Sequence, residues 1–286
     1  MKIQDRAMLC TLTLSMWNGQ RIDPKTTQEV LAGKHADSDA GRFSKLLVTR
    51  KALEPILQAH NAARRDFYRF TLPWDNNGTG ALATAMFMDF STAMQRNRAA
   101  CEKTYDHFCA TVYPAELLNA PARMKTLFDA TDFPDQKRIR DKFGFKLFTY
   151  PIPDSAGFKG LLPDAEEEKT IMQDYETEVT DRIAAAQQRI WFDLFETLKH
   201  FVETMKTSDK VFRNSTVSNL LEIVQQAPKL SLKPDTKLDT VCTDITTLLK
   251  NVSVDNLRQN KLVRANTALT AQAALAKIEK QLKGAI

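Results

Sequence analysis

Residues 164–207 of the chain read DAEEEKTIMQDYETEVTDRIAAAQQRIWFDLFETLKHFVETMKT. The stretch contains neither Gly nor Pro, and Asp164 is soon followed by three glutamates, which suit the positive end of a helix dipole. It therefore predicts one long helix, which at 1.5 Å per residue is about 60 Å long if it is unbroken. A helix of this size favours a mainly α-helical fold.

Apolar residues recur at helical spacing in several other stretches. After the long helix they predict three shorter helices, at residues 215–226, 237–251 and 258–283. Before it they predict four, at residues 44–67, 81–112, 114–130 and 132–142. A proline inside a helix removes a hydrogen bond, so Pro55 and Pro121 are expected to kink or break two of these helices. Residues 25–44 are expected to be irregular and residues 71–80 to form a loop.

Two stretches have the pattern of β-strands instead. From Ala7 to Trp17 apolar residues alternate with Thr and Ser, and Asn18-Gly19 predicts a turn into a short return strand at Gln20–Ile22. Residues 143–150 predict a further strand, which we expect to pair with the first. The expected fold class is α-rich α+β, with a small N-terminal antiparallel sheet or hairpin and a helical bundle. The five strands that an OB-fold requires are not predicted.

Composition divides the chain into two parts. Residues 151–164 hold three Pro and two Gly, which predicts a linker. It separates a basic, aromatic-rich α+β domain at residues 1–150 from a helical domain at residues 165–286. All 24 aromatic residues lie at or before Phe212, so the last 74 residues contain none.

The net charge of +5 is unevenly distributed. Residues 1–150 carry a net charge of +6, residues 151–200 carry −6, and residues 201–286 carry +5. Such segregation favours a polyanionic partner for the basic regions. No run of about 20 apolar residues predicts a membrane span, and the first residues lack the apolar core of a signal peptide. We therefore expect a protein of the cytoplasm without a membrane contact.

Catalytic and metal-binding motifs are weak. Cys101, His107 and Cys109 invite a zinc site, but a structural site requires a fourth ligand and tighter spacing, so ordinary buried thiols are the preferred interpretation. Gly78-Thr79-Gly80 opens a relaxed dinucleotide-binding pattern, but the predicted helices around it do not form the required βαβ unit. The acidic residues beside His35 fit an ordinary polar loop. We predict no enzyme activity, no metal and no cofactor.

The most informative motif combines arginines with aromatic residues in residues 63–74. Single-stranded nucleic acid is bound by cations that neutralise phosphates and by aromatic faces that stack on bases. The candidate binding residues here are Arg64, Arg65, Tyr68, Arg69 and Trp74. The alternative is a helix end whose aromatic residues fill the core while its arginines face water.

Other basic residues extend the candidate site. A run beside several aromatic residues, together with two arginines of a predicted helix, supplies Arg96, Arg98, Lys137, Arg138, Arg140, Lys142 and Lys146. The C-terminal helix supplies Lys277, Lys280 and Lys283. Solvated helix faces explain these lysines and arginines equally well. Whether the C-terminal lysines contact DNA or a second subunit is left open, as is assembly into a homo-oligomer.

Three segments resemble proteins of tailed phages: Trp17-Asn18-Gly19 after a Thr/Leu strand, Gly41-Arg42-Phe43-Ser44-Lys45-Leu46, and Arg64 to Trp74 with its Thr-Leu-Pro-Trp ending. Within that group the chain is similar to the Drc-like single-stranded-DNA-binding RNA polymerase cofactors of podophages that carry a virion RNA polymerase. The resemblance implies a protein that binds locally melted promoters in the host cytoplasm and recruits a phage RNA polymerase. No binding residue is carried over from that family. The alternative is a non-enzymatic helical adaptor that acts through protein contacts.

Overall fold

The computed structural model describes residues 3–161, 163–206, 214–250 and 253–283. The chain forms two compact units, and each is built from separate segments. Unit 1 comprises Met1–Thr11, Tyr68–Asp89 and Thr149–Ile286, and unit 2 comprises Leu12–Phe67 and Phe90–Phe148. The sequence-based division is different, because residues 1–11 and 68–89 group with the C-terminal helices.

The described residues form short strands and longer helices. In chain order the strands are β1 (Ala7–Ser15), β2 (Gln20–Ile22), β3 (Ser44–Leu46), β4 (Leu72–Pro73), β5 (Thr79–Ala83) and β6 (Gly144–Pro151). The α-helices are α1 (Pro24–Gly33), α2 (Arg50–Phe70), α3 (Phe87–His107), α4 (Tyr113–Met124), α5 (Ala165–Lys206), α6 (Asn214–Leu230), α7 (Thr236–Lys250), α8 (Val254–Gln259) and α9 (Lys261–Lys283). This content confirms the α-rich α+β fold class.

The main sheet has the strand order β4-β5-β1-β6. Strands β1 and β5 are antiparallel, with Ala7 opposite Ala83 and Thr11 opposite Thr79. Strand β6 is the neighbour of β1 on its other side, which confirms the pairing expected from the two strand patterns. Because β6 is the last strand in this order, one of its edges has no partner strand in the sheet.

Three predictions for residues 18–46 are wrong. Strand β2 pairs with β3, Gln20 opposite Leu46, and does not form a hairpin with β1. Residues 24–33 are helical, since Asp23 accepts a hydrogen bond from the Thr26 amide (3.1 Å) and Pro24 occupies the first turn. The helix expected from residue 44 begins at Arg50, because residues 44–46 pair with β2.

The helices of the middle region are also shorter than predicted. Strand β5 occupies residues that were expected to begin a long helix, so α3 starts at Phe87. Residues 132–142 form no basic α-helix: Ile139–Lys142 is a 3₁₀ turn, and before it the Asp135 carboxylate accepts a hydrogen bond from the Lys137 amide. Pro55 does not break α2, which runs from Arg50 to Phe70.

The long helix of unit 1 is confirmed. Asp164 accepts a hydrogen bond from the Glu166 amide at 2.8 Å, and α5 extends from Ala165 to Lys206. Its buried residues begin at Ala186, and this second half packs against α6 and α9. Instead of one helix at residues 258–283 there are two, because Asn260 ends α8 and its side chain caps α9.

Unit 2 has its own core. Leu47, Ala120 and Met124 form a buried cluster against which Trp17 and Phe128 pack. In addition, α2 and α3 run antiparallel and are linked by hydrogen bonds between polar side chains. His60 of α2 bonds to Tyr105 of α3, and Asp66 of α2 accepts a hydrogen bond from Asn97 of α3.

Candidate nucleic-acid interface

The net positive charge of the protein lies in unit 2. This unit has 19 Lys and Arg against 13 Asp and Glu, a net charge of +6, whereas unit 1 has 21 against 22, a net charge of −1. A polyanion is therefore attracted to unit 2 more strongly than to unit 1.

Strand β6 has one covered and one open face. Phe145 is buried, and the Arg98 guanidinium of α3 lies 5.3 Å from the centre of its ring. Successive strand residues point to opposite faces, so Lys146 and Phe148 both lie on the face opposite to Phe145. Both are exposed, and 59% of the Phe148 surface is accessible. An exposed phenyl ring beside an ammonium group is the result.

Strand β1 continues the open face. A Cβ atom added to Gly144 would lie 3.7 Å from Cβ and Oγ of Ser15, so these two residues are neighbours on one face of the sheet. By strand alternation Thr13 lies on this face as well, and both hydroxyl residues are exposed. We call Thr13, Ser15, Lys146 and Phe148 the β6 platform. It offers a ring for base stacking, a cation for phosphate and two hydroxyls for hydrogen bonds.

The arginine-aromatic motif of residues 63–74 is divided between the units, since the boundary falls between Phe67 and Tyr68. In unit 2, Arg64 and Arg65 are exposed and form no ion pair with another described residue. Arg64 lies close to His60: burial lowers the pKa of this imidazole, and the Arg64 charge lowers it further. These two arginines are free to contact phosphate.

Arg96 is less available than its neighbours. Its Nη2 donates to Oδ2 of Asp66 at 3.0 Å, and the Asn97 amide donates to the same oxygen at 2.8 Å. Asp66 is buried, so one charge of Arg96 compensates a carboxylate that would otherwise be unpaired in the interior. Arg98, in contrast, forms no ion pair within the described ranges.

The part of the motif in unit 1 has a different environment. Tyr68 is 61% exposed, but Nε of Arg69 lies 3.1 Å from Oε1 of Glu222. Trp74 is only 8% exposed, and the Arg182 guanidinium lies 5.7 Å from its ring centre. The expectation that Trp74 stacks on a base is not compatible with this burial. Together with the burial of Phe70, it matches the alternative in which the aromatic residues fill the core.

The basic run of residues 137–146 also separates into two kinds of side chain. Lys137, Arg138 and Lys142 are exposed and have no ion-pair partner in the described part of the chain. Arg140 is half-buried and bridges Glu102 and Asp106, and its guanidinium lies 5.0 Å from the Tyr105 ring centre. Arg140 therefore stabilises contacts within the unit, whereas Lys137, Arg138 and Lys142 are available to bind a ligand.

The C-terminal lysines lie on α9 in unit 1. Lys277 contacts Asp244 at 2.9 Å and Lys283 contacts Glu279 at 2.7 Å. Lys280 is exposed, and no described residue forms an ion pair with it. These lysines belong to the unit with the net negative charge, so they are weaker candidates for phosphate than those of unit 2.

Among the described residues no group of three His, Cys, Asp or Glu side chains could hold a metal ion. Cys101 is buried beside Tyr105, and burial raises the pKa of its thiol. None of the described helices is both long and apolar enough to cross a membrane.

Comparison with known proteins gives no match: no family model, no curated protein and no solved structure is significantly similar to this chain. The site must therefore be argued from its own residues. Sequence reasoning placed Lys146 in the site but treated Phe148 only as part of an aromatic neighbourhood. Strand alternation is the signal that could have found it, because Lys146 and Phe148 are two residues apart.

Proposed function

We propose that the protein binds single-stranded DNA through the β6 platform of unit 2. The observation that carries this proposal is the exposed Phe148 ring beside Lys146, on the open face of an edge strand, in the unit that holds the net positive charge. Bases stack on the ring, and Lys146 neutralises a backbone phosphate. Arg64 and Arg65 of α2 add to the positive charge of the same unit, whereas Arg98 lies against Phe145 on the other face of β6.

The platform suits unpaired bases better than a duplex. In a duplex both faces of each base are covered by its neighbours, so a protein ring can stack only where the strand is open. Stacking on an aromatic side chain contributes about 1–3 kcal/mol per base and tolerates any sequence. Phosphate neutralisation adds a contribution that falls as the salt concentration rises. We therefore expect weak sequence preference and strong salt dependence.

A role as a phage transcription cofactor rests on the resemblance alone. It requires that the DNA-bound protein also contacts a phage RNA polymerase at a melted promoter. Transcription by such a polymerase in vitro, with and without the protein, is the test of this additional role. DNA binding is tested independently of it.

The test of DNA binding measures fluorescence anisotropy of a labelled oligothymidylate and of its duplex with oligoadenylate, at two salt concentrations. Phe148→Ala is expected to weaken single-strand binding about 5- to 150-fold, which corresponds to the loss of about 1–3 kcal/mol of stacking. Phe148→Tyr keeps a ring and should retain the affinity. Lys146→Gln should reduce the slope of log K against log salt by about 0.7, the value for one phosphate contact.

Two matched controls are available in unit 2. Leu118 on α4 is 83% exposed, against 59% for Phe148, so Leu118→Ala removes an exposed apolar side chain from another element of the same unit. Lys25 on α1 is exposed and forms no ion pair in the described ranges, so Lys25→Gln removes one charge elsewhere. Equal affinities of wild type, Phe148→Ala and Leu118→Ala would reject the platform. Tighter binding to duplex than to single strands would reject the proposed ligand.

A further inference from the structure

Unit 1 contains a groove that its described residues leave open. It has a volume of about 930 Å³ and lies along α5 and α6 and the chain at residues 68–73. Apolar side chains in its lining are Leu72, Ile190, Ile223, Ala227 and Leu230. We call it the α6 groove. A volume of this size accepts several side chains of a partner.

Helix α9 of the same unit has an apolar face that no described residue covers. Its buried residues, such as Ala271 and Ile278, are on the side that packs against α5 and α7. On the opposite side Leu262 is 72% exposed and Leu269 is 71% exposed. At 3.6 residues per turn they share one face with three exposed alanines and with the C-terminal lysines. These residues are Ala265, Ala273, Ala276, Lys277, Lys280 and Lys283.

The charges of the groove and of this face are complementary. The groove is lined by three carboxylates but only two guanidinium groups. Arg69 lies 3.1 Å from Glu222, and Arg189 lies 2.9 Å from Asp193. This leaves Glu196 without an ion-pair partner among the described residues. The groove therefore favours a basic occupant with apolar side chains, which is the character of the exposed face of α9.

We propose that α9 of one copy of the chain docks in the α6 groove of a second copy. Leu262 and Leu269 are placed on the apolar lining, and the intervening alanines let the helix approach closely. Lys280, at the end of the face, then lies near the rim carboxylates, whereas Lys277 and Lys283 already contact Asp244 and Glu279. This assigns Lys280 to a subunit contact, because the surface beside it is apolar and the matching surface is acidic.

The contact joins two different surfaces. If each copy both offers α9 and accepts the other copy's α9, the result is a closed dimer, and otherwise copies add in one direction. In either case the contact lies in unit 1, and it does not require the β6 platform. Self-association is therefore tested without DNA, so that its failure and a failure of DNA binding are separate results.

The first experiment is analytical ultracentrifugation of the full chain over a range of concentrations. The wild type is expected to show a mass that rises with concentration. The double variant Leu262→Glu/Leu269→Glu should weaken this association at least about tenfold, because two buried apolar contacts are replaced by charges facing an acidic groove. Leu118→Glu, a matched exposed leucine in unit 2, should associate like the wild type. A monomeric wild type at all concentrations overturns the proposal.

Cross-linking identifies which surfaces meet. Cys10, Cys101 and Cys242 are buried, so a Cys109→Ser background removes the one partly exposed thiol. In this background a mixture of Leu269→Cys and Ile223→Cys proteins should form a disulfide-linked heterodimer on mild oxidation. If the Leu269→Cys protein forms a disulfide-linked homodimer by itself and the mixture contains no heterodimer, α9 pairs with α9. This result would overturn the groove contact. Leu118→Cys mixed with Ile223→Cys measures random cross-linking.

Discussion

Acidification is expected to destabilise the protein through one buried histidine. His60 is 1% exposed, and its Nε2 lies 2.5 Å from the hydroxyl of Tyr105. Burial holds the pKa of His60 below its ordinary value of 6.5, and the nearby charge of Arg64 lowers it further. The folded protein therefore keeps this ring neutral at a pH at which the unfolded chain already binds a proton.

The size and direction of the effect follow from the difference in bound protons. Because unfolding takes up one proton below the ordinary pKa, the free energy of unfolding falls as the pH drops. The fall is at most about 1.4 kcal/mol per pH unit, and it starts near pH 6.5 and ends at the folded pKa. The contribution of His60 to the free energy of unfolding is thus fully present above about pH 6.5 and is lost between that pH and the pKa of His60 in the folded protein.

Other groups titrate in a different range. Asp23, Asp75, Asp129 and Asp235 have pKa values below the ordinary 3.8 in the folded protein. Their contribution is present above that value and is lost only as the pH falls below it. The window below pH 6.5 therefore isolates the histidine among these groups.

Urea unfolding at several pH values between about 7.5 and about 5.5 measures the effect. His60→Gln should be less stable throughout but nearly independent of pH in this range. Arg64→Gln should show a smaller loss than the wild type, because removing the neighbouring cation moves the pKa of His60 back toward 6.5. Identical pH dependence in wild type and His60→Gln would refute the reasoning.

Two further substitutions test the packing of unit 1. Asp235→Ala should lower the free energy of unfolding by about 2–4 kcal/mol in urea titrations. The substitution removes the N-cap of α7. It also removes the carboxylate oxygen that accepts hydrogen bonds from the Trp191 and Gln187 side chains, both at 3.0 Å. Gly80→Ala should destabilise by at least about 1–3 kcal/mol in thermal unfolding, because its Cβ would lie 2.5 Å from Oγ1 of Thr71.

Each of these substitutions has a control in the same unit. Asp239→Ala changes an exposed acid in the first turn of α7 and should stay within about 0.5 kcal/mol of the wild type. Gly157→Ala adds a Cβ that meets no atom within 4 Å and should be nearly neutral. If either control destabilises as much as its partner variant, the assigned contacts are not the cause.

The regular elements could be predicted because their patterns are local. Helix α5 has no Gly or Pro and an acid at its start, and β1 alternates from Cys10 to Ser15, so neighbouring residues suffice to identify both. The β2–β3 pair could not be found in this way, since Gln20 and Leu46 are joined only by the fold. Helix α1 was missed because its polar composition hid the Asp23 cap, which is readable in the sequence.

The candidate site was predicted in part, for a similar reason. Arginines such as Arg64 are solvated in most contexts, so their exposure could be anticipated from charge. Which aromatic residues are exposed depends on packing between distant segments: Trp74 is covered by Arg182, more than one hundred residues further along the chain. Phe148 remains exposed because no described segment packs on its face of β6, and which face of a strand is covered is not contained in any single stretch.

The composition of unit 1 has a consequence for biosynthesis. Phe70, Leu72 and Trp74 are buried in unit 1, in which helices α5 to α9 begin only at Ala165. At about 5–20 residues per second, a ribosome needs on the order of ten seconds after these residues to complete the helices of this unit. During this interval the cover that these helices supply, such as Arg182 of α5 over Trp74, is absent. The packing of unit 1 is therefore completed only when synthesis reaches the C-terminal helices.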